Sequence, residues 1–226
     1  MSAETTIQEQ APKAPSKPLF TAKDRKLITD PLDDDNPITV QVLGICSALA
    51  VTVQLKPALF LCMGVLFVMV FGSATISLLR NLVPSRVRII VQLVVVAALV
   101  TVVDLALKAL AYDVSKELSV FVGLIITNCI VMGRLEAFAL ANKPGPSILD
   151  AFGNALGYSV ILIIVAIFRE FFGSGSIMGF NLIPQGFYDM GYVNNGLFIL
   201  PPMALILVGI IIWVQRSRNK KLIEAN

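Results

Sequence analysis

Long apolar runs separated by short polar stretches dominate the chain after residue 36. Six such runs can be drawn, at about 37–55, 57–79, 87–107, 118–133, 151–168 and 194–215. A helix that spans a bilayer needs about 20 mostly apolar residues. Only the second and sixth runs clear that length easily, and Pro201-Pro202 interrupts the sixth. The pattern predicts an all-α integral membrane protein with six transmembrane helices, some of them broken helices or half-helices buried against protein.

The composition agrees with lipid as the main solvent. Hydrophobic residues make up 56% of the chain and charged residues 15%, with a mean hydropathy of +0.81, whereas a soluble domain has about 25% charged residues. Residues 1–36 mix charges with prolines, which predicts a disordered cytoplasmic tail without a cleaved signal peptide. We expect a six-helix membrane domain at 37–215 and a basic cytoplasmic tail at 216–226. The net charge of +3 is too small to indicate nucleic acid.

Positive charges are unevenly distributed between alternate loops. If both termini face the cytoplasm, fourteen of the eighteen Lys and Arg residues lie inside, and four lie outside: Lys56, Lys108, Lys116 and Arg169. Cytoplasmic loops of membrane proteins carry an excess of Lys and Arg. The distribution therefore predicts six crossings with both ends in the cytoplasm, since an odd number of crossings would break the pattern.

The six runs divide into two sets of three, at about 37–107 and 118–215. Each set opens with a short run that carries a cysteine, Cys46 in LGICSALAVT and Cys129 in IITNCIVMG. With three runs in each set, the second set must enter the membrane from the opposite side. Many transporters are built from inverted repeats of this kind and have their site near the midplane. We expect two inverted three-helix repeats in which broken helices or half-helices carry the cysteines.

Few side chains could bind a metal, because the chain has three cysteines and no histidine. Cys62 has only apolar neighbours, which is typical of packing. Cys46 and Cys129 have small or polar neighbours, so a facing pair could form a disulfide or bind a soft metal. A reducing cytoplasmic side argues against a structural disulfide. Iron–sulfur clusters normally take four thiolates, so a cluster held by this pair would be shared with another chain. The residues alone leave incidental packing open.

Two polar residues, Thr127 and Asn128, stand beside the second cysteine. They are candidates either to donate hydrogen bonds around a metal ligand or to bond across helices. Further along, Gly153 and Gly157 form a GxxxG pair, which predicts close helix packing.

An acidic residue, Asp104, lies near the outer end of the third run. Lys108 follows at the i, i+4 spacing of an ion pair. The alternative is a carboxylate in a sodium path, because acids inside membranes are often functional.

Three stretches resemble the family of D subunits of sodium-translocating NADH:quinone oxidoreductases. They are NPITVQVLGICSALAVT, the block from SLLRNLVPSRV to GRLEAFA, and FREFFGSG. The resemblance covers about residues 34–215 and is most specific from Arg86 to Ala139. The related Rnf electron-transport complex has a paralogous subunit with a similar TNC block. Asp104 in VVDLALKALAYD, and the stretch FVGLIITNC, are more similar to the sodium-pumping enzyme.

The resemblance implies a redox function in a bacterial inner membrane. In this family, the D subunit pairs with the homologous E subunit, and each supplies two cysteines to a [2Fe-2S] cluster at mid-membrane. The matching ligands here are Cys46 and Cys129. FAD, FMN and riboflavin belong to other subunits among A, B, C and F. Electrons pass from NADH through the F subunit and the buried cluster to the flavins and ubiquinone, while Na⁺ moves outward.

The implied site gives a reason for the short cysteine-bearing runs. A cluster with four thiolates is negative, and charge in hydrocarbon is costly. Half-helices would bring N–H groups and positive helix ends to the sulfurs at mid-depth. Two other interpretations remain: a paralogous Rnf subunit, and an ion-conducting membrane subunit whose cysteines are incidental.

Overall fold

Three long helices frame the part of the chain that the computed structural model describes, which comprises residues 27–32, 35–84, 86–110, 123–177, 180–181 and 196–218. The helices in chain order are α1 (Ile45–Val51), α2 (Leu55–Leu79), α3 (Arg88–Leu110), α4 (Cys129–Arg134), α5 (Pro144–Ser174) and α6 (Pro201–Arg218). A π-helical turn, Leu135–Ala139, continues α4. Short 3-10 turns occupy Asp30–Leu32 and Gly196–Ile199, and an antiparallel pair of two-residue strands joins β1 (Ser176–Ile177) to β2 (Phe180–Asn181).

The helices α2 and α5 form the centre of the fold. They pack along each other, and their side chains supply most of the core, including Val65, Met69 and Leu162. In the described residues, α2, α3 and α5 are long and apolar enough to cross a membrane. Only 17% of the α3 span is buried, compared with about half of the other two spans. The helix α3 therefore lies at the edge of the fold, beside α2.

The expectation of an all-helical membrane protein is confirmed, and the second and third runs match α2 and α3. The prediction of a short fifth helix at 151–168 is wrong, because α5 has 31 residues. Polar residues near its start do not end the helix, since Ser147 and Asn154 bond to backbone carbonyls one turn earlier. Donor groups that are hydrogen-bonded in this way can be buried at little cost.

The remaining runs are short or interrupted. The first run begins with turns at 37–41, and its helix α1 has only seven residues. In the fourth run, a helical turn at 123–126 is separated from α4 by Thr127 and Asn128. In the sixth, the two prolines do not break the helix but begin it, because proline suits the first helical turn. Residues 118–122 of the fourth run, 194–195 of the sixth, and the tail segments 1–26 and 219–226 lie outside the described residues.

The end of the expected N-terminal tail packs onto α5. A Cβ on Gly153 would lie 2.5 Å from the carbonyl oxygen of Leu27, and one on Gly157 would overlap the carbonyl oxygen of Pro31. The Asn36 amide, 1% exposed, donates to the Gly157 carbonyl at 3.2 Å. The GxxxG pair thus permits a close approach, but its partner in the described structure is the N-terminal segment, at Leu27, Ile28, Pro31 and Asn36, and not another long helix. These residues of the expected tail are packed.

Ion pairs join the helices near their ends. Arg88 on α3 contacts Glu136 on the π turn at 2.5 Å, which fixes the start of α3. Arg134 pairs with Asp150 of α5 through both carboxylate oxygens, and the Asp150 side chain is almost fully buried. Removal of one partner from a buried ion pair of this kind strongly destabilises the folded protein.

The expected ion pair on α3 is present. The ammonium nitrogen of Lys108 lies 2.6 Å from the carboxylate of Asp104, with both side chains partly exposed. This geometry agrees with the structural interpretation of Asp104.

A substitution at Gly157 tests the packing of Pro31 and Asn36 on α5. Gly157→Ala places a methyl group against the Pro31 carbonyl, and overpacking of this kind costs about 1–3 kcal/mol. We expect the purified protein to melt at a lower temperature than the Gly145→Ala variant. Gly145 is the matched control because it lies on the same helix with nothing within 4 Å of its added Cβ. Equal melting temperatures for the two variants would contradict this packing.

Candidate functional site

The two cysteines with matching sequence positions lie side by side. Cys46 is the second residue of α1, and Cys129 is the first residue of α4. Their side chains are close enough to interact. Cys62 is the eighth residue of α2 and is 6% exposed, so its side chain packs in the core. The structure therefore brings together the two cysteines that the sequence paired, whereas the third is buried in the core.

Both thiols of the pair face outward. Cys46 and Cys129 are free and exposed on the surface of the chain, whereas Cys62 is buried. Among the described residues, no three His, Cys, Asp or Glu side chains come together in an arrangement that could hold a metal. The described part of the chain thus offers two soft sulfur ligands at an open face, which is half of the usual four-thiolate set.

Glycine permits the turn that leads into α1. Gly44 precedes the helix with φ of 83°, in the left-handed region that favours glycine. A Cβ at this position would lie 2.9 Å from Cε2 of Tyr158 and 3.7 Å from the Asn128 side-chain oxygen. Both the backbone conformation and the space around Gly44 therefore exclude a side chain.

Asn128 stands immediately before α4, as Gly44 stands immediately before α1. Its side-chain oxygen accepts a hydrogen bond from the Ile130 N–H at 3.3 Å, as expected of an N-cap. Its amide nitrogen donates to the Tyr158 hydroxyl at 3.3 Å. Asn128 thus caps its own helix and also bonds across to α5. Thr127, the other polar candidate, has an exposed side chain beside Cys129.

A buried hydrogen-bond chain connects the starts of the two short helices. The Tyr158 hydroxyl accepts from Asn128 and donates to the Ser47 hydroxyl at 2.7 Å. Ser47 in turn donates to the Gly44 carbonyl at 2.7 Å. The side chains of Asn128, Tyr158 and Ser47 are all 0% exposed. Each hydroxyl is both a donor and an acceptor, so the connection between α4, α5 and α1 is complete without water.

The sequence does not single out Tyr158. It stands in the apolar run LGYSVILII, where a tyrosine is easily taken for a large hydrophobic residue. The available signal is its hydroxyl group, because a buried tyrosine usually finds a hydrogen-bond partner. The presence of a buried hydroxyl indicates that Tyr158 has a hydrogen-bond partner, but it does not identify Ser47 or Asn128 as that partner.

The backbone of Gly44 lies near the sulfur of Cys129. N–H groups at the start of a helix favour a negatively charged sulfur, whereas burial and the neighbouring Cys46 thiol favour the neutral thiol. The environment of this sulfur therefore contains contributions of both signs.

The other end of α1 is held by a buried arginine. Arg169 on α5 is 1% exposed and donates to the Leu49 carbonyl at 3.2 Å and to the Thr52 hydroxyl at 2.6 Å. It also bonds the carbonyls of Phe198 and Ile199 just before α6. The helix α5 therefore contacts α1 at both ends, through Tyr158 near Cys46 and through Arg169 after the last turn.

Comparisons of the sequence with known proteins show the family of the chain. A family model described as "Rnf-Nqr subunit, membrane protein" matches residues 25–212. A curated relative from Aeromonas hydrophila subsp. hydrophila is 53% identical over 201 residues, covering 89% of this chain and 96% of the relative. Relatives from Psychromonas ingrahamii and Photobacterium profundum are 53% and 50% identical, covering 88% and 91% of this chain and 95% and 98% of their own length. All three are named as the D subunit of a Na(+)-translocating NADH-quinone reductase.

A substitution at Gly44 tests the turn that positions the two thiols. Gly44→Ala forces a Cβ into the left-handed region, at a cost of roughly 1–2 kcal/mol, and also displaces the Tyr158 ring. Dibromobimane fluoresces when it bridges two nearby thiols. We expect the variant to be less stable than the parent chain and to give a lower yield of the bridge between Cys46 and Cys129. The measurement is made in membranes, in a Cys62→Ala background.

Gly123→Ala is the control for this prediction. Gly123 precedes Cys129 in the fourth run, and nothing lies within 4 Å of its added Cβ. Its bridging yield should match that of the parent chain. A parental yield in Gly44→Ala would contradict the role of this turn.

Proposed function

We propose, from the premise that this chain belongs to the Rnf-Nqr family of membrane subunits, that it serves as the D subunit of a bacterial sodium-translocating NADH–quinone reductase. The observation that carries the proposal is the pair of outward-facing thiols at the starts of α1 and α4. Relatives that share half or more of the aligned residues, and that align over nearly their whole length, carry this name. The chain is thus one part of an enzyme complex and is not active alone.

In this proposal, Cys46 and Cys129 hold half of a [2Fe-2S] cluster. Two further thiolates come from the homologous E subunit, which packs on the exposed side of the pair. When bound, the cluster supplies a one-electron carrier inside the membrane. The fit is supported by sulfur ligands that lie together, face outward and lack further ligands within the described part of the chain.

The chain's own residues prepare the site in three ways. The apolar faces of α2 and α5 exclude water from the region behind the thiols, since residues such as Val65 and Leu162 are fully buried. The start of α4 and the nearby backbone of Gly44 place N–H groups close to Cys129, and donors of this kind would stabilise a bound cluster. Asn128 fixes the first turn of α4, on which Cys129 is carried. These contacts lower the cost of placing charged ligands in hydrocarbon.

The proposed architecture has six crossings in two inverted repeats, at about 37–107 and 118–215, with both termini in the cytoplasm. It is supported by the order of elements, since a short cysteine-bearing helix precedes two longer ones in each half. A pseudo-twofold relation would bring the starts of α1 and α4 together at mid-depth. The two tails, 1–36 and 216–226, would lie on the cytoplasmic side of the inner membrane.

The proposed partners are the other members of the complex. Electrons from NADH would enter through the F subunit and cross the membrane at the cluster held by this chain and the E subunit. They would then pass through the FMN and riboflavin of the A, B and C subunits to ubiquinone. FAD would belong to the F subunit. Na⁺ export accompanies this electron flow, and lipid surrounds the exposed helix faces.

Replacement of single cysteines tests the proposal. Cys46→Ala and Cys129→Ala each remove one sulfur ligand, so we expect both variants of the purified complex to lose the electron paramagnetic resonance signal of the cluster and NADH–quinone reductase activity. Iron and sulfide content should fall by one cluster per complex. Copurification of all subunits establishes that each variant assembles.

The matched control is Cys62→Ala, because Cys62 is buried in the core whereas both cysteines of the pair are exposed. This variant should keep both the signal and the activity. Equal tolerance at all three positions would instead favour an ion-conducting subunit without a redox centre. Copurification with Rnf subunits would favour the paralogous complex.

A further inference from the structure

The hydroxyl of Tyr158 is the only group in the described structure through which the hydrogen bonds of Asn128 and Ser47 meet. We infer that Tyr158 is a positioning residue, whose hydroxyl fixes the starts of α1 and α4 relative to each other and so sets the geometry and reduction potential of a cluster held by Cys46 and Cys129. The inference rests on the proposed function and deepens it. It assigns a redox-tuning role to a residue that does not itself touch the cluster.

The two helices that carry the cysteines are too short to be stable by themselves. The helix α1 has seven residues, and α4 has six before the five-residue π-helical turn that continues it. Helical segments this short do not hold their shape by backbone hydrogen bonds alone. The relative position of their cysteines must therefore come from contacts with a longer element.

The second step concerns α5 as that longer element. It has 31 residues, and side-chain contacts hold it on both sides of Tyr158. Asp150 bonds Arg134 toward one end, and Arg169 bonds the residues after α1 toward the other. Tyr158 thus projects from a fixed helix into the space between the two short ones.

The third step connects the hydroxyl to the sulfurs. The Tyr158 hydroxyl reaches Ser47, and Ser47 donates to the Gly44 carbonyl. Gly44 leads directly into α1, which carries Cys46, and the backbone of Gly44 lies near the Cys129 thiol. On the other side, Asn128 holds the turn immediately before Cys129. A change at the hydroxyl therefore reaches both the direction of α1 and the donor set around Cys129.

The chemical consequence has a definite sign. Reduction adds negative charge to an iron–sulfur cluster, and N–H donors near the sulfurs stabilise the reduced form more than the oxidised form. Loss of a correctly placed donor therefore lowers the reduction potential. It also changes the symmetry of the iron environment that resonance spectra report.

Tyr158→Phe tests the inference, because it removes the hydroxyl and keeps the ring that packs against Gly44. In the purified complex, we expect a shift of the cluster's midpoint potential to a lower value and a change in its resonance spectrum, with all subunits retained. A parental potential together with a parental spectrum would overturn the inference.

Ser159→Ala is the matched control. Ser159 is the next residue on the same helix, and its hydroxyl donates to the Ala155 carbonyl of its own helix at 2.7 Å. Its loss should leave the potential and the spectrum at the parental values. A shift equal to that of Tyr158→Phe would mean that any lost hydroxyl on α5 has this effect, which would also overturn the inference.

A second variant covers the case in which Tyr158→Phe does not assemble. Ser47→Ala removes the next hydroxyl of the chain and leaves both the tyrosine ring and its bond to Asn128. It should lower the potential in the same direction. Parental values in Ser47→Ala would then decide against the inference.

The outcome separates this inference from the proposed function. If Cys46→Ala and Cys129→Ala keep the cluster signal, the proposed function fails whatever Tyr158 does. If those variants lose the signal while Tyr158→Phe and Ser47→Ala stay parental, the cluster assignment stands and only the role of Tyr158 is wrong.

Discussion

The rest of the site depends on the close contact between Gly44 and Tyr158. The tyrosine ring occupies the space that a side chain at Gly44 would need, and the glycine turns the chain through a left-handed conformation at the same point. This contact lets the Tyr158 hydroxyl reach Ser47 in the first turn of α1 while it also accepts from Asn128. A polar group buried in this way is costly unless all its partners are present. The starts of α1 and α4 are therefore held together at one hydroxyl. Each of these two helix starts carries one cysteine of the pair.

Charged groups hold the long helix that carries this tyrosine. The almost fully buried carboxylate of Asp150 takes both bonds from Arg134. The buried guanidinium of Arg169 donates to backbone carbonyls and to the Thr52 hydroxyl. Arginine suits this task because it presents five donors in a fixed plane and keeps its charge. Most other contacts in the fold are apolar, and apolar contacts depend little on direction. These directional bonds therefore fix the rotation of α5 about its axis and its position along that axis.

Some of this arrangement can be predicted from the sequence because lipid imposes strict rules. Apolar runs of sufficient length indicate spanning helices, so the bounds of α2 and α3 are predicted nearly correctly. Cys46 and Cys129 can be paired because they open matching halves, whereas Cys62 has only apolar neighbours. The fifth run is shorter than α5, since nothing local shows that Asp150 finds Arg134 and that Asn154 bonds its own helix. The packing of Asn36 on α5 and the hydrogen bond from Tyr158 to Ser47 depend on partners more than 100 residues away, which a local pattern does not encode.

The separation of those partners also has a consequence for biogenesis. Ser47 and Tyr158 are 111 residues apart, and Asn36 and Gly157 are 121 residues apart. A ribosome that adds residues from the N-terminus delivers α1 to the membrane long before α5 exists, so Cys46 emerges on a nascent chain with nothing to orient it. Contacts between distant residues form late in folding. If the pair holds a cluster as proposed, a metal-loading factor would meet the two thiols in their final arrangement only after α5 has inserted, so the order of translation would set the time of cofactor delivery.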